Sequence, residues 1–249
     1  MNSLKMAGTT ALITGGARRI GRACALALAK EGVNVVVHYR HAEAEARMLC
    51  RELAACGVKA WSLSADLTSP AEAESLFERT VAQAGPIDLL LNNASTYRAS
   101  QLPDVSVQEL TENLRLHGIA PLLLGRRLAA QKREGTIINF LDARVAAPAT
   151  AGYAAYLLSK KWLLTLTQAM AVEMAPLVRV NAVAPGAILP PDGSNPEYFA
   201  AAAQANPLKK TGTVEEVVGA VLYLIGARFV TGQVLFVDGG YHLRGILHE

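Results

Sequence analysis

The chain has 249 residues, 51% of them hydrophobic and 18% charged, with a mean hydropathy of +0.24; that is enough apolar material for one large core, and a second domain is not required. The formal net charge of +3 is mildly basic, and its densest cluster, Arg18, Arg19 and Arg22, sits beside a Gly-rich turn instead of along a helix face. That favours a local phosphate site over nucleic acid. The opening "MNSLKMAGTT" lacks the apolar core of a signal peptide, and later apolar runs are interrupted well before a membrane-spanning length, so a cytosolic protein is expected. Cys24, Cys50 and Cys56 are odd in number and form no C-x-x-C, which predicts reduced structural thiols and no metal site.

Apolar runs at 11–14, 33–37, 59–64, 87–91, 136–141, 178–184 and 234–237 predict seven strands, separated by Ala/Leu/Glu-rich segments of helical period. Strands that alternate with helices imply a parallel sheet buried on both faces, hence a single doubly wound α/β domain of Rossmann type spanning 1–249. The first strand runs into "TGGARRIG" and a helix, where Gly15 and Gly21 permit a tight turn, Arg19 and Ile20 lie between them, and helix-start N–H groups can face a pyrophosphate. The second strand ends in His38, Tyr39 and Arg40, with no acid before Glu43. Cationic donors without a carboxylate at that place predict NADPH as the cofactor.

After the fifth strand comes Asp142, and then Tyr156 and Lys160, which share a helix face. Among the seven tyrosines only Tyr156 has a lysine four residues later. A nearby ammonium is expected to lower the phenol's pKa and make it a usable proton donor near neutrality. The Pro- and Gly-rich stretch 187–212 shows neither strand nor clear amphipathic signal and is expected to form a lid over a site at the carboxyl ends of the strands.

"ADL" at 65–67, "NNAS" at 92–95, "YLLSK" at 156–160, "NAVAPG" at 181–186 and "VDGGY" at 237–241, together with the Gly turn, resemble the short-chain dehydrogenase/reductases over nearly the whole chain. The resemblance implies a seven-stranded Rossmann domain, usually a homotetramer, with Tyr156 as acid/base and Lys160 on the nicotinamide ribose. It also implies that Asp66 and Leu67 contact the adenine, and that Asn93, Ala94, Pro185 and Gly186 line the cofactor. Two departures, Arg19 where the family's middle glycine belongs and Asp142 where its catalytic serine belongs, look like the pteridine reductase branch. That branch implies Asp142, Tyr156 and Lys160 as the catalytic set, with Arg19, Ser95 and Tyr97 on the substrate side and Tyr97 stacking on a pterin.

A serine hydroxyl donates a hydrogen bond to a developing oxyanion, whereas an ionised Asp142 repels it. Asp142 therefore argues for reduction of a C=N bond, where a carboxyl linked to Tyr156 helps pass a proton to nitrogen. A strand-end cap is the alternative role for Asp142. His117 stands where the family often has a relay asparagine; a modified relay and simple packing are both open. The expected activity is NADPH-dependent reduction of a pterin, dihydropterin or dihydrofolate ring. A short-chain reductase of another C=O or C=N substrate, such as a 3-oxoacyl thioester, and a non-catalytic NADP-binding regulator are the alternatives.

Overall fold

The computed structural model describes residues 6–146, 152–190 and 196–244. Seven strands, β1 (Thr10–Ile13), β2 (Asn34–Tyr39), β3 (Ala60–Ser64), β4 (Leu89–Asn92), β5 (Gly135–Phe140), β6 (Val178–Pro185) and β7 (Val234–Val237), form one sheet in the order β3-β2-β1-β4-β5-β6-β7. Every neighbouring pair is parallel. Each expected apolar run becomes a strand, with ends that agree to within two residues. Residue 87 falls outside β4 because the Gln131 side chain takes both its backbone groups, accepting from Ile87 N and donating to Ile87 O at 2.9 Å each.

Eight α-helices are described: α1 (Arg19–Lys30), α2 (Glu43–Ala55), α3 (Pro70–Ala84), α4 (Val107–Leu114), α5 (Ala120–Ala130), α6 (Ala154–Glu173), α7 (Pro196–Gln204) and α8 (Val214–Gly226). Successive strand side chains point to opposite faces, and both faces are covered. Ala11, Ile13, Val35, Val37 and Leu91 pack with Leu28 of α1, Leu49 of α2 and Val221 of α8. Leu12, Val36, Leu90, Ile137 and Val180 pack on the other side with Leu76 of α3, Leu124 of α5 and Met170 of α6. The unbroken apolar runs of the sequence follow from this double burial. Local signals agree with it: Ser69 and Ser106 accept from Glu72 N and Glu109 N to cap α3 and α4, and Thr213 and Glu216 cap α8 reciprocally.

β1 pairs with both β2 and β4, so the sheet grows outward in both directions from there, and a crevice opens at the carboxyl ends. Within stretch 187–212 the structure adds an element that the sequence pattern does not mark, helix α7. A proline in its first turn and the run Ala200–Ala203 give it high helix propensity even without an amphipathic stripe. Residues 191–195 of that stretch lie outside the described residues. Among the described residues, no helix is long and apolar enough to cross a membrane.

Candidate active site

The carboxyl ends of β1, β4, β5 and β6 surround a cavity of about 970 Å³. Its floor is a latch between β1 and β4. Thr14 Oγ1 accepts from the backbone N–H of Asn93 (2.9 Å) and Ala94 (3.0 Å), while Asn93 Nδ2 donates to Thr14 O and Gly15 O, both at 2.9 Å. The chain runs so close here that a Cβ on Gly15 would stand 2.9 Å from Ala94 Cα, and one on Gly21 only 2.5 Å from Gly15 O. Arg19 adopts φ of 53°, the left-handed conformation that suits glycine. Its Nη2 donates to Pro190 O at 2.8 Å, linking the turn to the segment after β6. The side chain of the N-cap residue, Arg18, makes no capping hydrogen bond to α1, and no acid lies in the helix's first turn, which suits its positive end to an anion.

Gly15, Arg19, Ile20, Asn93, Ala94, Pro185 and Gly186 line the cavity, as do Ser95, Tyr97, Asp142, Tyr156 and Lys160. Gly21, His38, Tyr39, Arg40, Asp66 and Leu67 do not. His38 is not the cationic donor expected from the sequence. It lies buried beneath the Gly turn, where Nδ1 accepts from Gly15 N at 3.1 Å and Nε2 is bonded to Ala65 O at 3.1 Å. Burial pushes its pKa down to about 4, so it stays neutral and shapes the turn. Tyr39 packs against the core, and Leu67 is buried in it. Arg40 is half exposed and pairs with Asp66 at 2.6 Å. Burial pushes the Asp66 carboxyl up, but bonds from Thr68 and the charge of Arg40 hold it below its usual value.

At the other end, Tyr156 Oη donates to Asp142 Oδ2 at 3.0 Å, and Lys160 Nζ donates to Phe140 O at 2.7 Å. Burial pushes the Asp142 carboxyl up; Arg144 and the Tyr156 hydroxyl more than offset it and hold the carboxyl below its usual value. Tyr156 departs from expectation. Burial first, then Asp142, raises its phenol well above the ordinary value, because the carboxylate touches the hydroxyl while Lys160 Nζ sits 5.7 Å from the ring centroid. Burial lowers Lys160 itself to about 8. Tyr97 stacks on Tyr153, with centroids 4.4 Å apart and planes at 17°, and meets Tyr156 edge-on at 5.1 Å.

His117 lies on a π turn, Arg115–Ile119, between α4 and α5. Ser159 Oγ donates to Tyr156 O (2.6 Å) and so accepts from His117 Nδ1 (2.8 Å). Nε2 is then the acceptor, for Thr96 N at 3.3 Å and Ser95 Oγ at 3.0 Å. Burial, with the charge of Lys160, holds this imidazole neutral. Sequence reasoning missed Arg144, Tyr153, Phe199 and Tyr241, which also line the cavity. The signal for Arg144 was its place two residues after Asp142 in "DAR", a spacing that no helix or strand period marks.

Comparison with known proteins gives a consistent set of likenesses. A family model described as enoyl-(acyl carrier protein) reductase matches residues 15–242. The 3-oxoacyl-[acyl-carrier-protein] reductase FabG of Staphylococcus aureus (strain Mu50) is 32% identical over 248 residues, covering 94% of this chain and 98% of that protein. The crystal structure of FolM alternative dihydrofolate reductase 1 from Brucella canis, complexed with NADP, superposes with a TM-score of 0.89 at 31% identity and 96% coverage of each chain. A blue fluorescent protein from a metagenomic library, in complex with NADPH, gives 0.89 at 30% identity, covering 95% of this chain and 98% of that one.

Proposed function

This chain belongs to the short-chain dehydrogenase/reductase family, and from that membership we propose that it reduces a C=N bond of a pterin, dihydropterin or dihydrofolate with NADPH. The cofactor fits the residues present. The Gly15 and Gly21 cradle admits no Cβ, the helix end beside it is uncapped, and relatives of similar fold are complexed with NADP or NADPH. Gly15, Ile20, Asn93, Ala94, Pro185 and Gly186 would hold it, Lys160 its ribose, and Arg19 and Arg40 its phosphates. When bound, NADPH supplies the hydride. The free state of all three cysteines supports a cytoplasmic setting. Exposed Leu158 and Trp162 on α6, with Val107 at the start of α4, are apolar side chains that the homotetramer usual in this family would cover.

The observation that carries the assignment is Asp142: an ionised carboxylate, paired with Arg144 at 2.9 Å, stands beside Tyr156. It has no hydrogen to give to a developing oxyanion, which opposes reduction of a ketone or 3-oxoacyl thioester. Protonation at nitrogen makes no such demand, and Tyr156, kept protonated by its surroundings, can serve it. Tyr97 and Tyr153, stacked on each other beside it, give the cavity an aromatic lining suited to a heteroaromatic ring. A second reading, reduction of a 3-oxoacyl thioester, is favoured by the likeness to FabG. A panel following NADPH absorbance separates the two: dihydrobiopterin or dihydrofolate should be turned over at least ~10²-fold faster than a 3-oxoacyl thioester, the worth of one oxyanion donor. Asp142→Ser should narrow that ratio. Brisk thioester turnover with silent pterins would establish the second reading instead.

A further inference from the structure

Arg144 gives Asp142 three hydrogen bonds. Its backbone N–H and Nε donate to Oδ1 and its Nη2 to Oδ2, each at 2.9 Å, while the Tyr156 hydroxyl takes the remaining site on Oδ2. The pair is largely buried, with side-chain exposures of 14% for Arg144 and 16% for Asp142. The guanidinium lies 5.2, 5.0 and 5.8 Å from the ring centroids of Tyr97, Tyr153 and Tyr156, so aromatic faces hold the fork in place. We propose that Arg144 is a positioning residue for proton transfer: its fork fixes Asp142 as a carboxylate facing Tyr156, so that Tyr156 supplies the proton and Asp142 never carries it.

A proton on either Asp142 oxygen would displace a charge-assisted hydrogen bond. The groups that face Asp142 are Arg144, from the turn after β5, and Tyr156 and Lys160, from α6; Tyr97 and Tyr153 flank the guanidinium, and His117 meets the Tyr156 ring edge-on at 5.6 Å. Lys160 directs its ammonium to Phe140 O, so Arg144 is the cation hydrogen-bonded to Asp142. This role rests on the assignment of Tyr156 as proton donor. The Tyr156 O–H bond breaks as an N–H bond forms on the substrate, the substrate C=N carbon takes the hydride, and water reprotonates the phenolate while Asp142 keeps its charge.

Without Arg144, burial dominates and Asp142 takes a proton near neutrality, because desolvation lifts buried carboxyls from ~3.9 by up to 3–5 units. In R144Q, kcat against pH should therefore show a new ionisation between about pH 5 and 8 that the native protein lacks. Infrared spectra of the same variant without substrate should show a carboxylic acid band over that range. Both signals should vanish in R144Q/D142N, and R144K, which keeps the charge but not the fork, should move the ionisation part of the way back. NADPH titration verifies the fold of each variant, and if R144Q does not fold, R144K alone should still titrate above the native protein. An R144Q profile that differs from native only by a scale factor, with no protonated carboxyl, overturns the proposal. Because the infrared reading needs no turnover, silence toward pterins would remove the proposed substrate and leave the role of Arg144 standing.

Discussion

Tyr156 is buried and hydrogen-bonded to an ionised carboxylate, so its hydroxyl keeps its proton across neutral pH, as the proposed donor role requires. Tyr156→Phe deletes that proton and little else: NADPH oxidation should fall by roughly 10²–10⁴ while NADPH titrates as in the native protein. Retained activity would move the donor role elsewhere. His38 gives a second test, on stability. Its folded pKa of about 4 lies below the ordinary 6.5, so its contribution is fully present above pH 6.5 and is lost as pH falls through 4. That shift corresponds to about 3 kcal/mol. Gln can accept from Gly15 N without titrating, so His38→Gln should flatten the fall in Tm between pH 6.5 and 4 relative to native; parallel curves would refute the assignment. Tyr156, Lys160, Asp142 and Arg19 were legible in the sequence because their motifs carry fixed spacings. The true role of His38 was not, because a basic residue after a strand looks the same whether it faces solvent or the underside of a turn. Arg144 was hidden for a different reason: its partner is two residues away in a turn, where no periodicity reports contact.

The strands were readable because burial on both faces writes an unbroken apolar run, and only their ends, as at Ile87, depended on a distant side chain. Helix α7 was obscured by Pro and Gly on either side of an alanine run that has no polar face to contrast with. The π turn at Arg115–Ile119 left no mark in the sequence either, since one added residue per turn does not disturb a short apolar pattern. Nor did the junction between β6 and the end of α8, which depends on Arg179. Its Nη1 donates to Leu224 O, Ala227 O and Val230 O at 2.9–3.0 Å, and its Nη2 to Ile225 O at 2.7 Å and Thr136 Oγ1 at 2.9 Å. A cation at a helix C-terminus also opposes the negative end of the dipole. Arg179→Met keeps the packing but takes their partner from Leu224 O and Ile225 O, while Ala227 O keeps Val230 N and Val230 O keeps Asn181 Nδ2; the loss is on the order of 3 kcal/mol, or roughly 6–12 °C in Tm for a chain of this size. NADPH affinity should be unchanged, because these contacts lie at the opposite end of β6 from the cavity; a large loss of affinity would show that the two ends are coupled.

A single sheet joins the Gly turn, the β4 loop, Asp142 and the end of β6, so a ligand that bridges them stabilises the whole molecule and not one part of it. Binding to the folded state alone adds RT ln(1 + [L]/Kd), about 2.7 kcal/mol at 100 Kd, which corresponds to roughly 5–11 °C in Tm. Arg40 follows β2 directly, and the chain places no acid between it and Glu43 in α2, so NADPH should give this rise at concentrations where NADH gives little. Its pairing with Asp66 does not consume the charge: Arg40 is half exposed, and an exposed ion pair is worth at most about 1 kcal/mol. A 2′-phosphate, with a second negative charge and more acceptors, competes well for the same fork. Arg40→Ala should therefore weaken NADPH roughly 10- to 150-fold, the worth of one charge-assisted hydrogen bond, and bring its melting curve toward that of NADH. Asp66→Asn should have the opposite sign, tightening NADPH by releasing Arg40 from its partner. Equal melting shifts from the two cofactors in the native protein would show that the end of β2 does not read the 2′-phosphate, and would move cofactor choice to Arg18 and Arg19 beside the Gly turn.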